Sequence, residues 1–446
     1  MARNLRDRGM RQVARAIVRL LPSISDENFI RLTQLGERLS DDPEVLGAIH
    51  RIREHLQTPG HPAKDLFRRV MEYLPAERRI RLFETLFNGA WFEGGKRREH
   101  WAEELGFHPP FIMILSPTLR CNLRCKGCYT LGYGMKPELS LEVADRLLHE
   151  CEELGICFVT ILGGEPLVYP HLFQLLERHP NIFFQVYTNG TLMTKEKAQR
   201  FAELGNSIVV ISIEGDERET DSWRGKGVYR KIMKAFEYLH DARVIIGTSA
   251  TVTRQNVQVV SSLKFIDHMI SLGSFAQMYF LYLPVNGKAD FSLMVTPRQR
   301  DHLRRQVNHV RNSRPIFVLD FWNDGPEPCV YTHIAVDNIH EKPLKEALDS
   351  HLFRFIRSCQ PHNENHLRPC MIIDNPHIMR EVIARTGARF THPGAEEIYT
   401  VYKDKMDAYA ANWARLADRI WEKEYRKGEQ ESQARVEACM AKGSVS

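Results

Sequence analysis

No run of 18 consecutive apolar residues occurs anywhere in the chain, so a membrane-spanning helix is not expected. Internal repeats and low-complexity tracts are also missing, which argues against a solenoid or a fibrous array. Charge of one sign is not in excess: a net +5 over 446 residues gives no reason to expect a nucleic-acid partner. The first residues are rich in arginine but lack a compact apolar stretch and a cleavage site, so they do not read as a secretory signal. Nine cysteines, an odd number and partly clustered, do not make a disulfide frame. They read as metal ligands in a reducing cytoplasm. The length exceeds one ordinary domain, so a large core with appendages is expected.

Three of those cysteines stand in the run Cys121-Asn-Leu-Arg-Cys125-Lys-Gly-Cys128-Tyr129. Nine scattered cysteines would produce a C-x3-C-x2-C spacing by accident only ~0.004 times per chain. Three thiolates on one short loop can hold three irons of a [4Fe–4S] cube, leaving the fourth iron without a protein ligand. An open coordination position marks a metal that does chemistry rather than one that staples a fold. The alternative is a zinc or structural cluster completed by a distant cysteine.

Residues 1–105 read as helices only. Met10, Val13, Ala14, Ile17, Val18 and Leu21 share one helical face, with Arg8, Arg11, Arg15 and Arg19 opposite. That face is either docked on its own domain with a solvated basic side, or a surface for anionic lipid head groups or an acidic partner. Further helical stretches fall at Phe29–Leu35, Val45–Leu56, Leu66–Leu74 and Ile80–Phe87, and Gly94-Gly95 and Pro109-Pro110 punctuate the exit. From residue 106 to 312 strand and helix alternate. The strand candidates are Phe111–Ser116, Cys157–Leu162, Phe183–Thr188, Ile208–Ile213, Val244–Thr251 and Met278–Leu283. Six such units give parallel βαβ topology, either doubly wound or an incomplete barrel, with ligands at the carboxyl ends of the strands. The cysteine loop ends the first strand. Residues 315–376 read as irregular, and 395–427 as one long amphipathic helix carrying Ile398, Tyr402, Tyr409, Trp413, Leu416 and Ile420 on its apolar side. The tail beyond is polar.

C-x3-C-x2-C after the first strand and Gly163-Gly164-Glu165-Pro166 after the second, on a six-fold βα pattern, resemble the radical S-adenosylmethionine (radical SAM) enzymes over about residues 111–310. The resemblance implies an α/β fold, a partial (β/α)6 TIM-like barrel, here with an N-terminal helical region and a cysteine-containing extension ending in a long helix. It also implies that Cys121, Cys125 and Cys128 bind a [4Fe–4S] cluster whose open iron is chelated by S-adenosylmethionine. Reductive cleavage of that cofactor would give a 5′-deoxyadenosyl radical that abstracts hydrogen from a substrate. Gly163 and Gly164 let backbone approach a ligand, Glu165 can accept from an ammonium group, and Pro166 stiffens the turn. Thr188-Asn189-Gly190-Thr191 closes the third strand, either to contact ligand hydroxyls or as a plain turn, and Ser212 and Glu214 end the fourth. By resemblance Ser212, Glu214 and Arg224 lie where ribose and carboxylate are met, and Tyr129 would pack beside the adenine. Thr251 and Tyr282 are placed by strand position alone.

A second group, Cys329, Cys359 and Cys370, with His333, His362 and His366 nearby, resembles the auxiliary-cluster region of SPASM or "twitch" extensions, shortened because the leading cysteine and hairpin are missing. It is a candidate for a second iron–sulfur cluster or a zinc site, or else holds unligated thiols. Cys151, Cys157 and Cys439 read as small side chains without a metal role. The division expected is 1–105, 106–312, 313–380 and 381–446. The resemblance also implies a flavodoxin- or ferredoxin-type reducing partner, and the substrate is a peptide, lipid or other small molecule. A rival reading is a non-enzymatic iron–sulfur or zinc protein that mediates interactions.

Overall fold

The computed structural model describes residues 26–37, 43–132, 138–285, 289–324, 333–391 and 394–426. The amphipathic segment Met10–Leu21, Cys329, Cys439 and the polar tail lie outside the described residues.

Seven parallel strands run in chain order across one open sheet: β1 (Ile112–Leu115), β2 (Phe158–Ile161), β3 (Phe183–Thr188), β4 (Ser207–Ser212), β5 (Ile245–Val252), β6 (Ser274–Leu281) and β7 (Phe317–Asp320). Each consecutive pair is parallel, and helices fill the crossovers, which makes an α/β partial barrel. Most helices that follow a strand start on a small polar cap. Ser140 accepts from Val143 N, Thr194 from Lys197 N, Asp216 from Arg218 N and Ser262 from Phe265 N. Thr296 and Gln299 form a full capping box before Pro297–Arg311.

Side chains alternate along every strand. One set, including Val159, Ile161, Phe184, Val186, Val209 and Ile211, is buried under the helices. The other set faces the concave side. Its lowest layer, Phe158, Phe183, Ile208 and Ile245, packs on Val70, Leu74, Leu82 and Leu86 of the N-terminal helices, which floor the barrel.

That floor explains much of the arginine in the segment. Helices of the barrel end on the lower face with unpaired carbonyls, the negative end of the helix dipole. Arg97 and Trp101 donate to Glu152 O (2.7 Å) and Glu153 O (3.0 Å). Tyr73 donates to Val244 O (3.1 Å), Arg78 to Ala242 O, and Arg69 to Ser274 O (3.3 Å) and Pro315 O.

Four expectations need correction. Phe317–Asp320 is a seventh strand inside the stretch read as irregular; four residues behind Pro315 are too few for a period to register. β6 begins at Ser274, four residues before Met278, because its polar members are satisfied internally: Thr248 Oγ1 donates to Gln277 Oε1 at 2.7 Å. Gly94-Gly95 does not break the chain. A π-helical stretch, Phe83–Glu93, runs straight into the helix Gly94–Leu105, and Gly94 is small because a Cβ there would sit 2.7 Å from Gly155 O. The last long helix is Lys403–Ile420, since Tyr399 turns inward to meet His333 Nε2 at 2.6 Å.

The extension, residues 333–391, is tied to both edges of the open sheet. On the β1 side Leu344 N donates to Glu150 (2.7 Å), Arg146 to Ile339 O, and Lys345 lies over the Trp101 ring at 4.2 Å. On the β7 side Arg300, wholly buried, pairs with Asp374 at 2.5 Å. It also donates to Trp322 O and Leu367 O, and it stacks 4.3 Å over Trp413.

Candidate active site

Four strand ends converge on the cysteine loop. The loop leaves β1, and its backbone is zipped to the turn after β2: Gly164 N donates to Thr118 O and Glu165 N to Arg120 O, both at 2.9 Å. The two chains touch so closely that no side chain fits between them. A Cβ on Gly163 (φ +118°) would lie 2.2 Å from Thr118 O, and one on Gly164 2.1 Å from Arg120 O. A third glycine, Gly127 (φ +69°), lets the loop turn beneath Tyr282 and Trp223, whose rings would meet its Cβ at 2.8 and 2.9 Å. Lys126 N donates to Trp223 O at 2.8 Å.

Glu165 is fully buried, and three donors of the protein take its carboxylate. Leu167 N (3.0 Å) and Thr188 Oγ1 (2.7 Å) share Oε1, and Asn189 N (2.7 Å) takes Oε2. Burial raises this carboxyl above its ordinary value, and the three donors oppose the shift. Glu165 therefore fixes the turn after β3. There Asn189 Nδ2 points at Asn122 Oδ1 (2.9 Å) and at Cys121 Sγ (3.8 Å), and Asn122 in turn reaches Thr191 Oγ1 at 2.7 Å.

From the end of β4, Glu214 grips Arg224 through two oxygens, one contact being Nη2 to Oε1 at 2.6 Å. Burial would lower the guanidinium, but Glu214 more than offsets it and holds the charge firmly. Arg224 Nη1 stands 4.0 Å from Cys125 Sγ. Ser212 sits deeper, paired with Ser249 Oγ at 3.2 Å.

The three thiols are in no disulfide: Cys121 is exposed, Cys128 half-buried and Cys125 buried. Burial raises Cys121, and Leu123 N, 3.4 Å from its sulfur, pulls the other way. Burial pushes the Cys125 thiol up to about 11 against the pull of Arg224. Cys128 Sγ lies 3.1 Å from Thr130 Oγ1. Among the described residues no three His, Cys, Asp or Glu side chains converge on one point where a single metal ion would be held. A cube presents separate iron corners, so its ligands need not converge. One loop with three reachable thiols, polar hydrogens on the sulfurs and a glycine cradle alongside fits such a cluster better than a lone zinc.

Tyr129 is 37% exposed at the start of a short 3-10 turn, and Pro166 opens another. Cys151 and Cys157 are buried, while Cys359 and Cys370 lie on the extension. Asn122, Thr130 and Trp223 are the site's members that sequence reasoning missed. Asn122 sits inside the cysteine run and Thr130 directly after Tyr129, so proximity to the run was the available signal.

A three-cysteine loop at the mouth of a parallel partial barrel defines a class, and comparison with known proteins adds a family match. Residues 115–265 match the radical SAM superfamily. Over those residues the chain carries a radical SAM domain, and the members of that superfamily are enzymes. It is similar to Fe-coproporphyrin III synthase of Methanosarcina barkeri, 28% identical over 239 residues, covering 51% of this chain and 59% of that protein. It is also similar to mycofactocin maturase MftC of Mycolicibacterium smegmatis, 33% identical over 161 residues, covering 34% and 41%. The chain thus spans about half the length of the curated relatives it matches. Among solved structures, Streptococcus suis SuiB bound to S-adenosylmethionine superposes with a TM-score of 0.51 at 16% identity, covering 69% of this chain and 87% of that one. That likeness concerns the fold. No helix among the described residues is long and apolar enough to cross a membrane.

Proposed function

We propose that this chain is a radical SAM enzyme whose Cys121, Cys125 and Cys128 hold a [4Fe–4S] cluster. The observation that carries the reading is the backbone zipper between the cysteine loop and Gly163-Gly164-Glu165, which fixes a loop of three thiols against the turn after β2 at the carboxyl end of the sheet. When bound, cluster and S-adenosylmethionine supply a 5′-deoxyadenosyl radical that takes hydrogen from a substrate. The chain's own residues position and shield. Gly163 and Gly164 let the turn after β2 pack directly on the cysteine loop, and Glu165 holds Asn189 and orders the turn beside Cys121. Pro166 stiffens the same turn. Arg224, locked by Glu214, keeps a positive charge beside Cys125 and favours the thiolate. By resemblance Tyr129 would pack beside the adenine and Ser212 would meet the ribose. A flavodoxin- or ferredoxin-type protein supplies the electron.

Incubating the anaerobically reconstituted chain with S-adenosylmethionine and dithionite tests this reading. It predicts 5′-deoxyadenosine from the parent and none from Cys125→Ala; equal yields from both would sink it.

A second centre is favoured by one observation. Ile372 N points at Cys370 Sγ from 3.3 Å, the same hydrogen bond to sulfur that Leu123 makes to Cys121. We propose that Cys329, Cys359 and Cys370 contribute to an auxiliary cluster.

A further inference from the structure

Above its floor the concave face of the sheet is free of formal charge. No inward position on any of the seven strands carries Asp, Glu, Lys, Arg or His. Its middle layers are apolar or hydroxyl-bearing: Val210, Met278, Phe280 and Leu319, with Tyr187 and the Ser212–Ser249 pair. Two strong donors in this wall have an unsuitable partner. Tyr187 Oη lies 2.8 Å from Met278 Sδ, and Gln185 Nε2 lies 3.4 Å from the same sulfur. A thioether is a weak acceptor, and one sulfur serves both. Gln185 is additionally held through its oxygen by Thr160 Oγ1 at 3.0 Å. Tyr187 Oη makes no such second hydrogen bond among the described residues, and the ring stands half-buried, edge-on to Phe280 with centroids 5.9 Å apart. It precedes Asn189 by two residues, ~7 Å along the strand, so its hydroxyl belongs one layer below the cysteine loop. Desolvation holds the phenol above its ordinary value, which keeps it a donor.

We propose that the substrate group entering this face is uncharged and largely apolar, and carries one hydrogen-bond acceptor of carbonyl type that takes the Tyr187 hydroxyl from Met278. Tyr187 is then a substrate-positioning residue, and the neutral wall selects against charged groups, which a desolvating surface without counter-charges rejects. This inference rests on the radical SAM reading of the same barrel and adds the substrate's class to it.

Prodan, an uncharged naphthyl ketone whose emission reports polarity and hydrogen bonding at its carbonyl, is a direct probe. Titrated into the reconstituted full chain, it should bind saturably with quenched, red-shifted emission relative to an apolar site. Tyr187→Phe should weaken binding about three- to tenfold and shift emission to the blue. Met278→Leu, which conserves volume and removes the competing sulfur, should bind at least as tightly as the parent. The same dye bearing a carboxylate should bind at least about tenfold more weakly. The inference is overturned if Tyr187→Phe leaves affinity and emission unchanged, if Met278→Leu loses as much as Tyr187→Phe, or if the carboxylated dye binds equally well. Following 5′-deoxyadenosine in the same preparations separates the two claims. Normal cleavage with no dye contrast refutes only the substrate class, and absent cleavage in the parent refutes the enzyme reading whatever the dye does.

Discussion

After β1, Leu123 N–H points at Cys121 Sγ from 3.4 Å; in the extension, Ile372 N–H points at Cys370 Sγ from 3.3 Å. The local turn is the same and the support is not. The first loop is held by strand ends: the zipper to Gly164 and Glu165, the Asn189 amide, and the Glu214–Arg224 pair. Strand ends in one parallel sheet are fixed by every neighbouring strand, so this loop inherits the rigidity of the core. Cys370 is held instead within its own turn, where Asp374 N and Asn375 N donate to its carbonyl at 3.0 and 2.9 Å. Asp374 Oδ2 takes Cys370 N at 3.1 Å while its carboxylate is gripped by Arg300. The difference teaches that the first site is positioned by strand ends, whereas the second is positioned by a local turn anchored through Asp374 to Arg300.

That contrast can be broken at either end. The largest effect is expected in the loop: alanine at Cys121, Cys125 and Cys128 together should abolish 5′-deoxyadenosine formation and leave about four irons per chain, those of the extension, by iron and sulfide assay. No residual iron would remove the second site from the account. Next comes the extension's anchor. Asp374→Ala strands Arg300 in a dry interior and should cost about 3–5 kcal/mol in denaturant unfolding. Below the transition the folded fraction should still cleave S-adenosylmethionine, since nothing in the loop's support passes through Asp374. Loss of cleavage in folded protein would mean that the two regions are coupled.

A smaller effect is expected in the zipper. Gly164→Ala forces a methyl against Arg120 O and should destabilise by about 1–3 kcal/mol, with iron loading falling in parallel. Gly95→Ala, whose methyl meets only the end of Arg98 at 3.8 Å, is the matched control and should be neutral or slightly stabilising.

The smallest effect concerns Asp320 at the end of β7, close to Arg300. Burial raises this carboxyl from 3.8 to about 6. The folded chain therefore holds the proton more tightly than the unfolded one, and this group's contribution is full below about pH 4 and lost as pH rises through about 6. Asp320→Asn should be more stable than the parent by about 1–3 kcal/mol at pH 8, with the gap closing toward pH 4 in thermal unfolding. A gap that widens on acidification would reverse the assignment.

The sequence made the site's chemistry more legible than its architecture. Cys121, Cys125, Cys128 and the Gly-Gly-Glu-Pro turn are local patterns, and a pattern of contiguous residues survives without coordinates. What holds them was not visible: Thr188 and Asn122 act across strands, and only folding brings Asn189 to Cys121. The strands β1 to β5 were readable because they are short, largely apolar runs set between helical stretches. β6 was shifted and β7 missed, where polar residues pair with each other under the helices and where the run is four residues long. Glu165 shows the limit of reading roles from residue type. A carboxylate suited to an ammonium group is, in the fold, surrounded by three protein donors.

The central claim is that the loop's cluster has an iron open to S-adenosylmethionine. Electron paramagnetic resonance of the reduced, reconstituted Cys329→Ala/Cys359→Ala/Cys370→Ala chain, which isolates that cluster, tests it most directly. The account predicts a [4Fe–4S] signal whose g-values and line shape change on adding S-adenosylmethionine. A spectrum identical with and without the cofactor would contradict it.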